Sequence, residues 1–257
     1  MRTVIRLCFS LCFVLVLWAP RAAHATACTA GCAGFFYTGV FNAGAGTVTA
    51  TMTGVTAGHS AHIFYCISPT TYSVTGITVA GNAATLGSVT ATQSGAYTCG
   101  MAFRANLGSG SNAVVMTLNT TCASGCDFKL SAEDWPDSTT SVIDGQNASF
   151  PGGQGAAGVN LPCGNITTTG SNDTIEVLSF NTGAVDTAPS GYSTAYTRAS
   201  TTLSLFFLTS VTAGTYNPTP KTGDTSANHL VVCAGFTQAA AAGGPPAGSL
   251  NLLGVGK

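Results

Sequence analysis

From Thr47 to Thr53 the chain reads Thr-Val-Thr-Ala-Thr-Met-Thr, so Val48, Ala50 and Met52 point one way and four threonines the other. That alternation is the mark of a β-strand with one wet face. Comparable segments recur at 61–68, 73–80, 96–103, 113–118 and 128–133, then at 166–169, 174–180, 193–198, 202–209 and 230–236. Chain-reversing residues separate them: Gly81-Asn82, the Gly/Ser/Asn run at 108–112, and Ala-Pro-Ser-Gly at 188–191. Short strands at this spacing predict a sandwich or barrel. No window of a dozen residues carries helical periodicity, and the alanines at 239–242 run straight into Gly243, Gly244, Pro245 and Pro246.

Pro136 and the Gly-rich loop 151–158 are the natural internal boundary, but neither flank holds enough strands to close a core alone. The expectation is therefore one antiparallel all-β domain over 26–238, followed by a flexible Ala/Gly/Pro-rich tail at 239–257. The first 25 residues read as a secretory signal. Arg2 and Arg6 precede an apolar run, Leu7 to Trp18, too short to span a bilayer comfortably, and Ala23-His24-Ala25 offers a cleavage site. Cleavage there would start the mature chain at Thr26 and place it outside the cell or on its surface. Eight of the ten cysteines lie beyond that cut, where thiols pair.

Charge narrows the partners. Arg2, Arg6 and Arg21 leave with the signal, so 8 − 3 = 5 basic residues face nine acidic ones, a net charge of −4. Five scattered cations make no basic stripe, which excludes nucleic acid. No later stretch approaches the roughly 20 apolar residues of a membrane helix. Solubility rests on Thr, Ser, Asn and Gly.

Several segments carry a family resemblance: Gly54 to His59 leading into an apolar strand, Val79 to Leu86, Ser111 to Leu118, Ile143-Asp-Gly-Gln146 after Glu133-Asp134-Trp135, and Thr167 to Ile175. Over about residues 41–236 the chain resembles secreted bacterial β-sandwich modules of jelly-roll type, many of unknown function. The resemblance implies a jelly-roll-like sandwich and no particular activity. The family pattern does not demand the many cysteines found here, which point to extra stapling.

Eight thiols permit 105 pairings, and sequence alone does not choose among them. Cys28–Cys32 and Cys122–Cys126 share a spacing and a glycine before the second cysteine, which suits a small ring. The preferred pairings for the rest are Cys66–Cys99 and Cys163–Cys233, each within one half of the chain. Metal knuckles prefer tighter spacings, and redox sites prefer Cys-x-x-Cys, so structural staples are the favoured reading.

Candidate chemistry is sparse. Gly58-His-Ser-Ala-His62, with a later Asp and His229, imitates a hydrolase order, but a strand rather than a helix follows Ser60. His59 and His62, three apart, fall on opposite faces of a strand. Glu133, Asp134, Asp137 and Asp144 flank Trp135-Pro136 and could supply oxygen ligands to a structural Ca2+, or a carboxylate pair for glycoside hydrolysis. The plainer alternative is a solvated loop. Trp135, with Tyr192 and Tyr196, could offer ring faces to sugars, although packing explains the same residues. Four Asn-x-Ser/Thr sites, at Asn119, Asn147, Asn165 and Asn172, matter only in a eukaryotic source. The expected role is non-catalytic: an extracellular binding or surface-structural module. A carbohydrate-binding module, a polysaccharide hydrolase and a self-assembling coat or filament subunit are the alternatives, the last through free strand edges. An extracellular glycan or surface protein is the expected partner.

Overall fold

In the computed structural model, the described residues are 34–40, 44–93, 96–123, 126–135, 142–151, 156–170, 172–181, 183–198, 203–223 and 229–237, with backbone alone at 34–40 and 196–198. The signal segment, the tail beyond 238, Cys28, Cys32, Pro136 and Asp137 lie outside them. The first half supplies β1 (Gly34–Val40), β2 (Thr47–Val55), β3 (Ser60–Ser68), β4 (Val74–Val79), β5 (Asn82–Ala83), β6 (Thr85–Leu86), β7 (Ala91–Thr92), β8 (Thr98–Arg104), β9 (Gly110–Leu118) and β10 (Asp127–Trp135). The second half supplies β11 (Ile143–Ser149), β12 (Ile166–Thr168), β13 (Asp173–Phe180), β14 (Ser193–Arg198), β15 (Leu203–Val211), β16 (Gly214–Tyr216) and β17 (Leu230–Phe236). All belong to one compact unit.

Three antiparallel sheets stack in layers. The outer sheet runs β2-β9-β4-β5, and the middle sheet β1-β10-β3-β8-β6, with β7 also on β8. The third runs β11-β17-β13-β15-β14, and a ribbon, β12-β16, covers part of its far side. Alternation explains the layering. On β3, Ala61, Ile63, Tyr65 and Ile67 enter the core shared with Met52, Ile77, Val114 and Met116 of the outer sheet. The intervening Phe64 and Cys66 enter a second core with Leu178, Leu205, Val232 and Phe236 of the third sheet. A third core lies on the far side, where Val177, Phe206 and Val231 meet Leu161, Cys163 and Ile166.

The expected two-layer sandwich is thus extended. Strands buried on both faces need nearly continuous apolar sequence, and β3, β13 and β17 are buried almost from end to end. β2 keeps Thr47, Thr49, Thr51 and Thr53 exposed, as its pattern predicts. Three expected disulfides are present: Cys66–Cys99 joins directly opposed residues of β3 and β8, Cys122–Cys126 closes a short ring, and Cys163–Cys233 ties the 159–165 segment to β17. Cys28–Cys32 lies outside the described residues. Paired cysteines fit an oxidising compartment, and no helix among the described residues is long and apolar enough to cross a membrane.

Candidate functional site

The seam between the middle and third sheets holds the densest group of reactive side chains. Ser60 and His62, two apart on β3, share its inward face, and the register of β10 sets Trp135 opposite Ser60 and Glu133 opposite His62. From the third sheet, β13 contributes Glu176. His62 Nδ1 lies 3.1 Å from Glu176 Oε1, and its Nε2 lies 3.3 Å from Ser60 Oγ. The imidazole stacks on Phe236 at 3.8 Å and on Trp135 at 5.3 Å between centroids. The groups follow the order of a serine–histidine–acid relay, with Glu176 as the acid where sequence considered a late aspartate and His229, but the His62–Glu176 approach is an ion-pair distance without hydrogen-bond geometry.

Burial decides what the relay can do. Ser60, His62 and Glu176 have no exposed surface, so no substrate carbonyl reaches the Ser60 hydroxyl in this conformation. Burial, reinforced by the Glu176 charge, raises the Glu133 carboxyl well above its ordinary pKa against the opposing pull of His62 and a Trp135 hydrogen bond. Glu176 went unmarked in the sequence, where the signal was a lone acid inside an otherwise apolar strand.

The seam overturns the role given to Trp135. A sugar-stacking tryptophan needs an open face, whereas Trp135 is completely buried, stacked on His62 and set edge-on to Phe207. Tyr192 is half-buried and packs with Tyr216 against the third core, where burial raises its pKa. The Tyr196 side chain lies outside the described residues.

The acidic residues disperse instead of converging. Glu133 faces the seam, while its neighbour Asp134 points to the opposite side of β10, where it accepts from His59 Nδ1 at 3.0 Å and from the Thr56 amide at 3.3 Å. Asp144 sits on β11, accepting from the Thr169 amide, from Thr169 Oγ1 at 2.8 Å and from the Gly170 amide at 3.3 Å. Burial pushes the Asp144 carboxyl up, but these bonds and one with Asp173 outweigh it and leave the pKa below the ordinary value. Glu133, Asp134 and Asp144 therefore form neither the expected Ca2+ ligand set nor, for the first two, a facing catalytic pair. Among the described residues no three His, Cys, Asp or Glu side chains gather in a metal-binding group.

A second buried hub serves the third sheet. Asp186 accepts from Ser179 Oγ at 2.5 Å and the Gly223 amide at 2.9 Å, with His229 Nδ1 at 3.4 Å. Serine and histidine both meet the aspartate, so this hub lacks the serine–histidine contact that would activate a nucleophile.

Among the described residues, one cleft of about 350 Å3 opens to solvent between β6, β8 and β11. Leu86, Phe103, Val142 and Ile143 give it apolar surface, and Arg104 and Gln146 give it polar groups. Its Phe103 wall backs onto His62, with ring centroids 5.4 Å apart. Sequence reasoning missed the cleft because these residues, scattered from 83 to 146, meet only where β6 pairs with β8 and β11 of the third sheet packs beside them. No family model, curated protein or solved structure matches the chain.

Proposed function

We propose that this chain is an exported, non-catalytic binding module on a jelly-roll-type scaffold, and that it takes an extracellular glycan in the cleft between β6, β8 and β11. The carrying observation is the separation of reactive groups from solvent: serine, histidine and glutamate are sealed in the seam, while the open concavity carries apolar surface edged by amide and guanidinium groups. Small-ligand sites have that composition, and a cleft near 350 Å3 falls toward the small end of their usual range, roughly 300–1,000 Å3. Strand order supports the jelly-roll reading. The chain passes repeatedly between the outer and middle sheets, and β10, the last strand of that half, returns to lie beside β1, the first. The disulfides support export.

Affinity electrophoresis through gels containing soluble polysaccharides tests the proposal. Retardation by at least one glycan is expected, without release of reducing ends. Val142 is 56% exposed at the cleft, so Val142→Asp should remove the retardation while leaving the thermal midpoint unchanged. Unretarded migration in every gel would overturn the binding role, and steady release of reducing ends would overturn the non-catalytic one.

A further inference from the structure

We infer that the cleft selects a carboxylate-bearing saccharide, a uronic-acid chain, and that Arg104 is the residue that anchors its carboxylate. The inference rests on the cleft being the ligand site. Arg104 ends β8, where pairing with Ala61 of β3 fixes its backbone. Its Nη1 donates to the Ala83 carbonyl at 3.3 Å, which draws the guanidinium across the β5–β6 connection along the cleft. Among the described residues no aspartate or glutamate lines the cleft, and Arg104 makes no ion pair. A half-buried guanidinium with donors to spare is matched best by the two oxygens of a carboxylate, which accept from its fork side by side.

The opposite wall is already set for binding. The Ser88 amide donates to Gln146 Oε1 and Gln146 Nε2 donates to Ser88 Oγ, both at 2.9 Å, which clamps β11 to the segment after β6. Gly87 permits that approach: a Cβ there would sit 2.7 Å from both Gln146 Oε1 and Met101 Cγ. With its oxygen engaged as an acceptor, the Ser88 hydroxyl keeps its proton for another partner. A wall held this way loses little freedom on binding. Leu86, Val142 and Ile143 then meet the C–H face of a sugar ring, while hydroxyl and amide groups at the rim meet its hydroxyls. The protein's overall acidity gives a polyanion no general attraction, so selection falls to this single cation.

Trigalacturonate and galactotriose differ in carrying carboxylates or hydroxymethyl groups on otherwise like rings, and isothermal titration of the intact mature protein compares them. The acidic trisaccharide should bind about tenfold or more tighter, a preference that shrinks with added salt. Arg104→Gln should erase the preference while leaving galactotriose affinity unchanged, and Arg104→Lys should restore part of it. Equal affinities in the wild type, which need no variant to observe, would overturn the carboxylate anchor and leave the binding role standing. The anchor falls in the same way if Val142-dependent retardation persists on neutral glucan while neither trisaccharide binds. Loss of retardation on every glycan overturns both. Displacement of trigalacturonate by a tripeptide acid, but not by its amide, would transfer the site to peptide termini and overturn the saccharide assignment.

Discussion

The two halves of the chain repeat one order of strand pairing with different means of covering it. In the first, β1 lies beside β10, β10 beside β3 and β3 beside β8; in the second, β11 lies beside β17, β17 beside β13 and β13 beside β15. The correspondence reaches the covering layer, since β2 pairs β9 as β12 pairs β16. But β2 and β9 are nine-residue strands that bury Met52, Val114 and Met116, while β12 and β16 have three residues each. Where a full sheet covers the core, apolar area supplies the adhesion. Where only a ribbon covers it, a buried polar hub and a long-range disulfide hold the loops in place.

Removing the hub should therefore be the most damaging single change in the second half. Asp186 is almost fully buried and receives a hydroxyl, an amide and an imidazole. Asp186→Ala should cost about 3–5 kcal/mol by stranding those partners, comparable to the upper range for a large core truncation such as Met116→Ala in the first half. Urea unfolding midpoints compare the two. A loss below about 1 kcal/mol for Asp186→Ala would mean that the ribbon and loops adhere by apolar contact, as the first half does.

The staples should differ in the same sense. Cys163–Cys233 closes a loop with a separation of 70, and Cys122–Cys126 one with a separation of 4. Chain-entropy arguments give about 4 kcal/mol for the long loop and about 2 for the short. Paired serine substitutions, followed by urea unfolding, should reproduce that order. Equal losses would show that the short ring, buried in the first core, does more than restrict the unfolded chain.

These contrasts separate what the sequence displayed from what it concealed. β2 was legible because one face stays wet, so its threonines alternate with Val48, Ala50 and Met52. β11 was not: Ile-Asp-Gly-Gln-Asn-Ala-Ser has no apolar rhythm, and the strand is held by β17 and by side-chain bonds such as Asn147 Nδ2 to the Asn165 carbonyl and Ser149 Oγ to the Pro162 carbonyl. β1 escaped too, as an apolar stretch with no alternation to mark it. The disulfide partners within each half were legible from local spacing and chain order. The seam was half legible, because Ser60 and His62 two apart must share a strand face, but nothing local tied them to Glu176 more than a hundred residues later. Trp135 misled because its polar neighbours suggested an open rim, when Glu133 belongs to the buried side of β10 with it.

The seam, where the halves meet, yields the smallest and most diagnostic effect. Glu133 faces His62 and Trp135 within the middle sheet and Glu176 across from it, and its carboxyl holds its proton well above the ordinary 4.5 when folded. The unfolded chain releases that proton near 4.5. Between the two values the native state binds more protons, so stability contributed by this group is full below the ordinary pKa and falls as pH rises through the raised one. One proton sets a slope of at most about 1.4 kcal/mol per pH unit. Asp144 acts with the opposite sign in a separate window: held below 3.8, it loses its contribution only as pH falls through that region. Unfolding midpoints measured upward from about pH 5 thus stay clear of Asp144. Comparison with Glu133→Gln, neutral at every pH and close in shape, separates the Glu133 part of the slope from that of other groups titrating there. The variant should decline less steeply. A Glu133→Gln midpoint that runs parallel to the wild type over that range would place a charged carboxylate in the seam, and the two halves would then meet across an ion-paired joint instead of a protonated one.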